Sequence, residues 1–406
     1  MGKTKYKELR GSQILRQKLV LATLSRTPVR IDDIRPNTIS PGLRPYEKSL
    51  LDLLEKICDD CFIDINETGT QFSFTLYLFE FLLFYYFAYS SSSFVSSGTS
   101  LKYKPGIVMG GRNLEHDCGL TRSIGYFLEP LILLALFGRK PLSIKLKGIT
   151  NDSKDPSVDT FQSTTLPMLK RFGVNPDDVN LKIESRGVPP LGGGEVILTI
   201  PTVKSFSAVS WTDEGMVKRI RGVSFSTRVS SQFEHAMITA ARGVFNRLLP
   251  DVHIGTDHRK GPRAGNSPGF GISLVAETTT NCLISIDTAV SYGYAEEITE
   301  FEEEKQELPN PEDVGEGMAY ALLNDIGKGG VVDSTHQGLL FLLCALCPND
   351  VSKVRVGEIT PYGIETLRNI YDFLKVMFHI EPDPSSQTVL LKCVGFDLKN
   401  FSMKHF

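Results

Sequence analysis

Three consecutive glycines, Gly192-Gly193-Gly194, separate Arg186-Gly187-Val188-Pro189-Pro190-Leu191 from the strand-like run Glu195-Val196-Ile197-Leu198-Thr199-Ile200. A Gly-Gly-Gly run loses more conformational freedom on folding than any other tripeptide, so it marks a backbone that turns tightly or approaches something closely. Taken alone it reads as a glycine-rich hairpin. An arginine, two prolines and an aliphatic strand at fixed spacing make the pattern far narrower than that.

Around this segment, elements of two periods alternate. ILRQKLVLATLSR carries apolar residues at helical spacing and PVRIDDIR alternates as a strand does; SLLDLLEKICDD is helical again, with FIDIN as the strand behind it. The order then recurs: CGLTRSIGYFLEPLILLALF and DTFQSTTLPMLKRFG read as helices, and LSIKLKGIT, LKIESRG and EVILTIP as strands. Such alternation predicts an α/β fold, with helices layered over sheets. With 406 residues, 41% apolar and 22% charged, the chain is long enough for two or three domains with substantial cores.

A formal net charge of −3 gives no general attraction to nucleic acid, so any RNA contact must come from local clusters or from a partner. Two basic clusters qualify: Lys218, Arg219, Arg221 and Arg228 in one stretch, then Arg259, Lys260 and Arg263 in a loop. Each suits RNA phosphates or acidic protein surface; the bland alternative is a solvated face. The acidic run from Glu296 to Asp313 suits an exposed linker.

Seven cysteines, an odd number, and an opening MGKTKYKELR without a signal pattern argue against a secreted disulfide framework and for reduced thiols in cytosol or nucleus. Cys58/Cys61 and Cys344/Cys347 have the two-residue gap of zinc ligands, yet one pair closes an amphipathic helix and the other lies within GLLFLLCALC. Buried thiols are the expectation, with no metal and no cofactor.

Residues 71–99 form an aromatic-rich insertion. From Phe72 to Tyr89 they approach the length of a membrane span, but Glu80 lies inside and no basic anchor flanks the N-terminal side, so no membrane contact is expected. Removing Gln71 to Thr99 would join INETGT to SLKYKPGIVMGG and restore a strand connection. The segment reads as a lineage-specific loop or as translated unspliced sequence, in either case poorly ordered.

The Arg-Gly-x-x-Pro-x-Gly-Gly-Gly pattern resembles the signature of the RNA 3′-terminal phosphate cyclase family. Gly11-Ser12-Gln13-Ile14-Leu15-Arg16 and Pro41-Gly42-Leu43-Arg44 are similar to that family's opening. HDCGLTRSIGYFLEPL, KGITNDSKDPSVD, KRIRGVSFSTRVS, SPGFGISLVAETT and GGVVDSTHQ resemble its branch of cyclase-like proteins in eukaryotic ribosome assembly. The resemblance implies a large domain of three repeated βα units, each a sheet with two helices, from residues 1–202 and 300–406. A smaller inserted α/β domain would occupy 203–299.

In a cyclase, a histidine in an Asp-Glu-His-Leu-like segment becomes adenylylated. Here the segment is Asp333-Ser334-Thr335-His336-Gln337, and alignment puts the nucleophile on Thr335 or nearer Asp333, never on His336. The cyclase turn Glu-Gly-Gly-Gly-Gln is replaced by Leu9-Arg10-Gly11-Ser12-Gln13. The resemblance therefore implies no catalytic residue, with Gln13, Arg16 and Arg186 as a candidate pocket for a phosphate. It implies a nuclear and nucleolar assembly factor of the small-subunit processome, needed for early pre-rRNA cleavages toward 18S rRNA. Its partners would be pre-rRNA and a ribosome-biogenesis GTPase. The alternative is an enzyme, a residual cyclase or a pre-rRNA endonuclease, with Asp333 and Arg16 or Asp350 and Lys353 as generic candidates.

Overall fold

The computed structural model describes residues 4–66, 98–291 and 309–400. Residues 71–97 of the aromatic insertion and most of the acidic run lie outside the described residues.

The fold is α/β. Three four-stranded sheets share one plan. In the first, Lys7–Arg10 pairs in parallel with Val29–Asp32, which pairs antiparallel with Leu101–Lys104, which pairs antiparallel with Phe62–Ile65. In the second, the same order and senses run through Gly111–Asp117, Leu142–Gly148, Gly194–Ile200 and Asn180–Ser185. In the third they run through Ser210–Trp211, Val351–Val356, Thr388–Val394 and Phe378–Asp383. Each parallel pair needs a crossover, which the helices Leu15–Leu24 and Gly125–Leu136 supply in the first two sheets. In the third, the crossover holds a whole further unit.

That unit is a fourth sheet, ordered Val252–Arg259, Val217–Thr227, Gly269–Thr278, Leu283–Ser291. Helix Gln232–Phe245 covers it, joined by helix Pro311–Gly327, and together they enclose a separate core that includes Ile220, Met237, Phe245, Phe270, Leu274, Ala319 and Leu322. The two helices approach closely because Gly315 lies against the carbonyl of Met237, where a Cβ would sit 2.3 Å from the oxygen. Two elements lie across the boundaries expected at 203 and 299. Ser210–Trp211 belongs to the third sheet, and helix Pro311–Gly327 packs with the fourth.

The remaining core is continuous under the first three sheets, where Leu19, Phe127, Leu198 and Leu340 are all fully buried. The described residues that flank the aromatic insertion pair as a hairpin. Ile65 pairs with Leu101, Asn66 N donates to Ser100 O at 3.1 Å, and Ser100 N donates to Asn66 Oδ1 at 2.6 Å. A hairpin tip accepts extra chain without disturbing the ladder behind it.

Candidate functional site

The triple glycine forms a junction between the second sheet and the loop that follows Arg259. Gly192 and Gly193 have φ of 55° and 84°. A Cβ on Gly187 would lie 2.3 Å from Gly194 N, and one on Gly194 would lie 2.5 Å from Thr150 Cγ2. The tight approach read from the sequence is therefore an approach of backbone to backbone. Thr150 N donates to Gly187 O at 2.7 Å, Asn266 N to Gly192 O at 2.9 Å, and Arg186 N to Arg263 O at 3.0 Å.

Arg186 is buried at this junction, 1% exposed. Its guanidinium donates to both oxygens of Asp159 at 2.7 and 2.8 Å, to Asn151 Oδ1 at 3.2 Å, and through Nε to Asp257 Oδ2 at 2.7 Å. The ring of Phe225 lies 4.7 Å away. Burial works against both charges of the Arg186–Asp159 pair, but mutual attraction and hydrogen bonding outweigh it: the guanidinium pKa is raised and that of Asp159 lowered. This corrects the expectation of a phosphate contact, because the donor fork of Arg186 already faces carboxylates. Asp257 lies on the fourth sheet and Asp159 in the helical segment 158–172. Arg186 thus bolts the fourth sheet to the rest of the chain.

The same seam carries three more polar links. Asp287 Oδ2 on the fourth sheet accepts Ser157 N at 2.7 Å and the hydroxyl of Thr160. Asp333 Oδ2 accepts Ser285 N at 2.9 Å and Ser285 Oγ at 2.8 Å. Asp333 Oδ1 faces His336 Nδ1 at 2.7 Å, and His336 Nε2 lies 2.8 Å from Thr165 Oγ1. Thr165 reaches this position from a π-helical turn, Phe161–Thr165, just before Pro167, which has no N–H to continue an α-helical ladder.

His336 is 4% exposed and stands at the start of helix Gln337–Leu346. Burial lowers its pKa, but Asp333, with Glu129 and Asp287 farther off, more than reverses this and raises it above the ordinary imidazole value. Asp333 is held low, burial being outweighed by His336 and the Ser285 bonds. Both ring nitrogens are engaged, Nδ1 with Asp333 and Nε2 with Thr165, so neither is turned toward a bound phosphate. Neither alignment supplies another imidazole. Asp333 is a buried carboxylate accepting from Ser285, Thr335 and His336, and Thr335 is exposed.

Arg16 and Gln13 lie elsewhere. Pro130 interrupts the ladder of helix Gly125–Leu136 and leaves the carbonyl of Tyr126 without its helical donor. Arg16 Nη1 fills that gap at 3.1 Å, Nη2 pairs with Glu129 at 3.0 Å and meets Tyr362 Oη at 3.4 Å, and the Tyr126 ring lies 4.9 Å away. Gln13 is exposed in the turn before helix Leu15–Leu24. Gln13, Arg16 and Arg186 share no contact, and the two arginines serve separate carboxylates. Neither pair suggested for RNA cleavage is joined by a hydrogen bond or ion pair: Arg16 faces Glu129, Asp333 faces His336, and Asp350 and Lys353 are both exposed, with Asp350 Oδ1 accepting Val351 N at 2.6 Å.

The two basic clusters differ in kind. Lys218 and Arg219 both pair with Glu277, at 2.8 and 2.6 Å, and Arg221 holds Asp251 through two bonds of 2.8 and 2.9 Å. Lys260 and Arg263, by contrast, are exposed, and Lys260 lines a cavity with Arg228 and Arg259. Cys58, Cys344 and Cys347 are buried and Cys61 half-buried, and burial pushes the Cys58 thiol up to about 12 and that of Cys347 to about 11. Among the described residues no three His, Cys, Asp or Glu side chains group as metal ligands, and no helix is long and apolar enough to cross a membrane. Sequence reasoning missed Asp159, although it ends the segment KGITNDSKDPSVD, and missed Asp257, Asp287 and Thr165, which lie in none of the family-like segments.

Comparison with known proteins agrees with the motifs. The family described as RNA 3′-terminal phosphate cyclase matches residues 7–76 and 89–380. The gap between those stretches falls inside the aromatic insertion. Over 398 residues the chain is 59% identical to a probable RNA 3′-terminal phosphate cyclase-like protein of Arabidopsis thaliana, covering 98% of each chain. It is 43% identical over 399 residues to the human RNA 3′-terminal phosphate cyclase-like protein, covering 97% of this chain and 96% of the other. A Schizosaccharomyces pombe protein named rRNA processing protein rcl1 is 38% identical over 399 residues, covering 97% of each.

Proposed function

The chain belongs to the RNA 3′-terminal phosphate cyclase family, and from that premise we propose that it is a non-catalytic factor in rRNA processing. It acts in the nucleus and nucleolus within the small-subunit processome, at the early pre-rRNA cleavages that lead to 18S rRNA, alongside a ribosome-biogenesis GTPase. The similarity to the S. pombe rRNA processing protein rcl1 supports the process.

One observation carries the loss of catalysis: the segment that holds the family's nucleophile is built here as an Asp333–His336–Thr165 hydrogen-bonded line. An imidazole shielded from solvent, with both nitrogens committed, gives ATP no nucleophile in line with its α-phosphorus. The fold is then available as a rigid body for docking RNA and protein. Depleting the protein from cells is expected to raise early pre-rRNA precursors and lower 18S rRNA several-fold, with recovery on re-expression, read by northern blot. Unchanged precursor and 18S levels after depletion would overturn the proposed role.

A further inference from the structure

We propose that the cavity beside the turn Gly261–Ala264 binds a phosphodiester of single-stranded RNA, which rests on the reading that this chain acts on pre-rRNA. The cavity has a volume of about 290 Å³ and is lined by Arg228, His258, Arg259 and Lys260 together with Gly261 and Ala264. Three cations and an imidazole therefore converge from two strand ends and one turn.

Their hydrogen bonds leave donors over. Arg228 is anchored by Nε donating to Gly265 O at 2.7 Å, and its terminal amino groups make no other bond among the described residues. Lys260 has no carboxylate partner among the described residues. Arg259 pairs with Asp257, but that carboxylate also serves Arg186, so one negative charge faces two guanidiniums. Arg259 itself is held by Asp257, with Nε 2.5 Å from Oδ1 and Nη2 donating to Oδ2 at 3.2 Å, so the spare donors come from Arg228 and Lys260. Ser226 gives its only proton to Glu234 and so accepts from His258 Nδ1 at 2.7 Å, leaving Nε2 as the nitrogen of a cavity-lining ring without a partner among the described residues.

The backbone adds a separate sign. Arg228 has φ of 56°, a left-handed conformation that costs a residue with a Cβ and that recurs at ligand clamps. Convergence on one concave point suits a tetrahedral oxyanion with several acceptor oxygens. An acidic helix or strand would instead need cations spread along a face. Lys218, Arg219 and Arg221 have that spread, but Glu277 and Asp251 already neutralise them. With the whole chain at −3, attraction for RNA must be local, and Arg228 and Lys260 bring to this cavity two cations without a carboxylate partner among the described residues.

The test compares two double variants of the full chain that remove equal charge, Arg228→Asn with Lys260→Gln and Lys218→Gln with Arg221→Gln. Binding of a fluorescein-labelled uridine 12-mer is followed by anisotropy across a salt series, and thermal melting checks that each variant is folded. The first pair is expected to weaken binding about tenfold and to flatten the slope of log K against log salt by about 0.7, the contribution of one phosphate on a single strand. The second pair should change affinity less than twofold. Equal losses in both would reduce the effect to net charge and overturn the site, as would wild-type affinity in the first pair. Tighter binding of poly-glutamate than of the 12-mer, lost in the first pair, would assign the cavity to acidic protein and also overturn it. If the first pair unfolds, displacement of the 12-mer from wild-type protein by millimolar inorganic phosphate, but not by chloride at equal ionic strength, decides for the site, and equal displacement by both decides against it. These readouts do not involve pre-rRNA processing. A cavity that binds RNA in cells with unaltered 18S production would keep the site and remove the proposed function.

Discussion

Replacing Arg186 with alanine is expected to destabilise the protein by about 3–5 kcal/mol, the cost of stranding buried charge when one partner of an ion pair is removed. Asp159 and Asp257 would face each other's field without the guanidinium that bridges them. Lysine should recover little, since a point charge cannot donate to both oxygens of Asp159 and to Asp257 from one planar head. Denaturant midpoints of Arg186→Ala, Arg186→Lys and Arg186→Met paired with Asp159→Leu measure this. The double substitution should be less harmful than either charge removed alone, because it leaves one fewer unpaired ion in the seam. An alanine variant of native stability with impaired RNA binding would restore the phosphate role that the structure argues against.

The second large effect belongs to His336. Substitution by alanine removes the donor to Asp333 and the contact to Thr165, leaving a buried carboxylate short of one partner and a small void, together about 3 kcal/mol. Its pH dependence separates charge from shape. The folded pKa of His336 is raised, so its contribution is fully present below the unfolded value of about 6.5 and is lost as pH rises through the folded value. Asp333 is depressed, so its contribution is present above the unfolded value of about 3.9 and is lost as pH falls through the folded one. Wild-type stability should therefore hold across mildly acid pH and decline on the alkaline side, while His336→Gln should lose the alkaline decline. Urea midpoints from pH 5 to 9 give the comparison. A flat wild-type profile, identical to that of the glutamine variant, would mean that His336 is neutral in the fold.

Periodicity carried the α/β class and most helices, because apolar spacing reports which face of an element meets the core. LSIKLKG, for instance, is buried at every second residue, as its alternation requires. The triple glycine announced a close approach, and Gly187 and Gly194 do meet backbone to backbone. What the approach was for could not be read locally. The partners of Arg186 lie 27 and 71 positions away in helix and strand, and no spacing rule links them. Neutralisation of Lys218 and Arg219 was hidden for the same reason: Glu277 sits across a strand pair whose register only the fold sets. DTFQSTTLPMLKRFG reads as one helix, yet Pro167 breaks its ladder into α, π and 3-10 turns, and the π turn is what brings Thr165 to His336. The packing of helix Pro311–Gly327 on the fourth sheet was masked by the acidic run before it, which marks a linker by composition while the helix beyond it returns to the unit the linker leaves.

The proposed non-catalytic role requires that no side chain of this protein accept AMP from ATP. Incubating the purified full chain with α-labelled ATP, magnesium and a 3′-phosphorylated oligonucleotide tests it most directly, with the protein resolved after quenching with EDTA and detergent at alkaline pH and the RNA end analysed in parallel. The expected result is unlabelled protein and an unchanged 3′-phosphate. Acid-labile label on the protein that disappears in His336→Ala, together with a 2′,3′-cyclic end on the RNA, would contradict it.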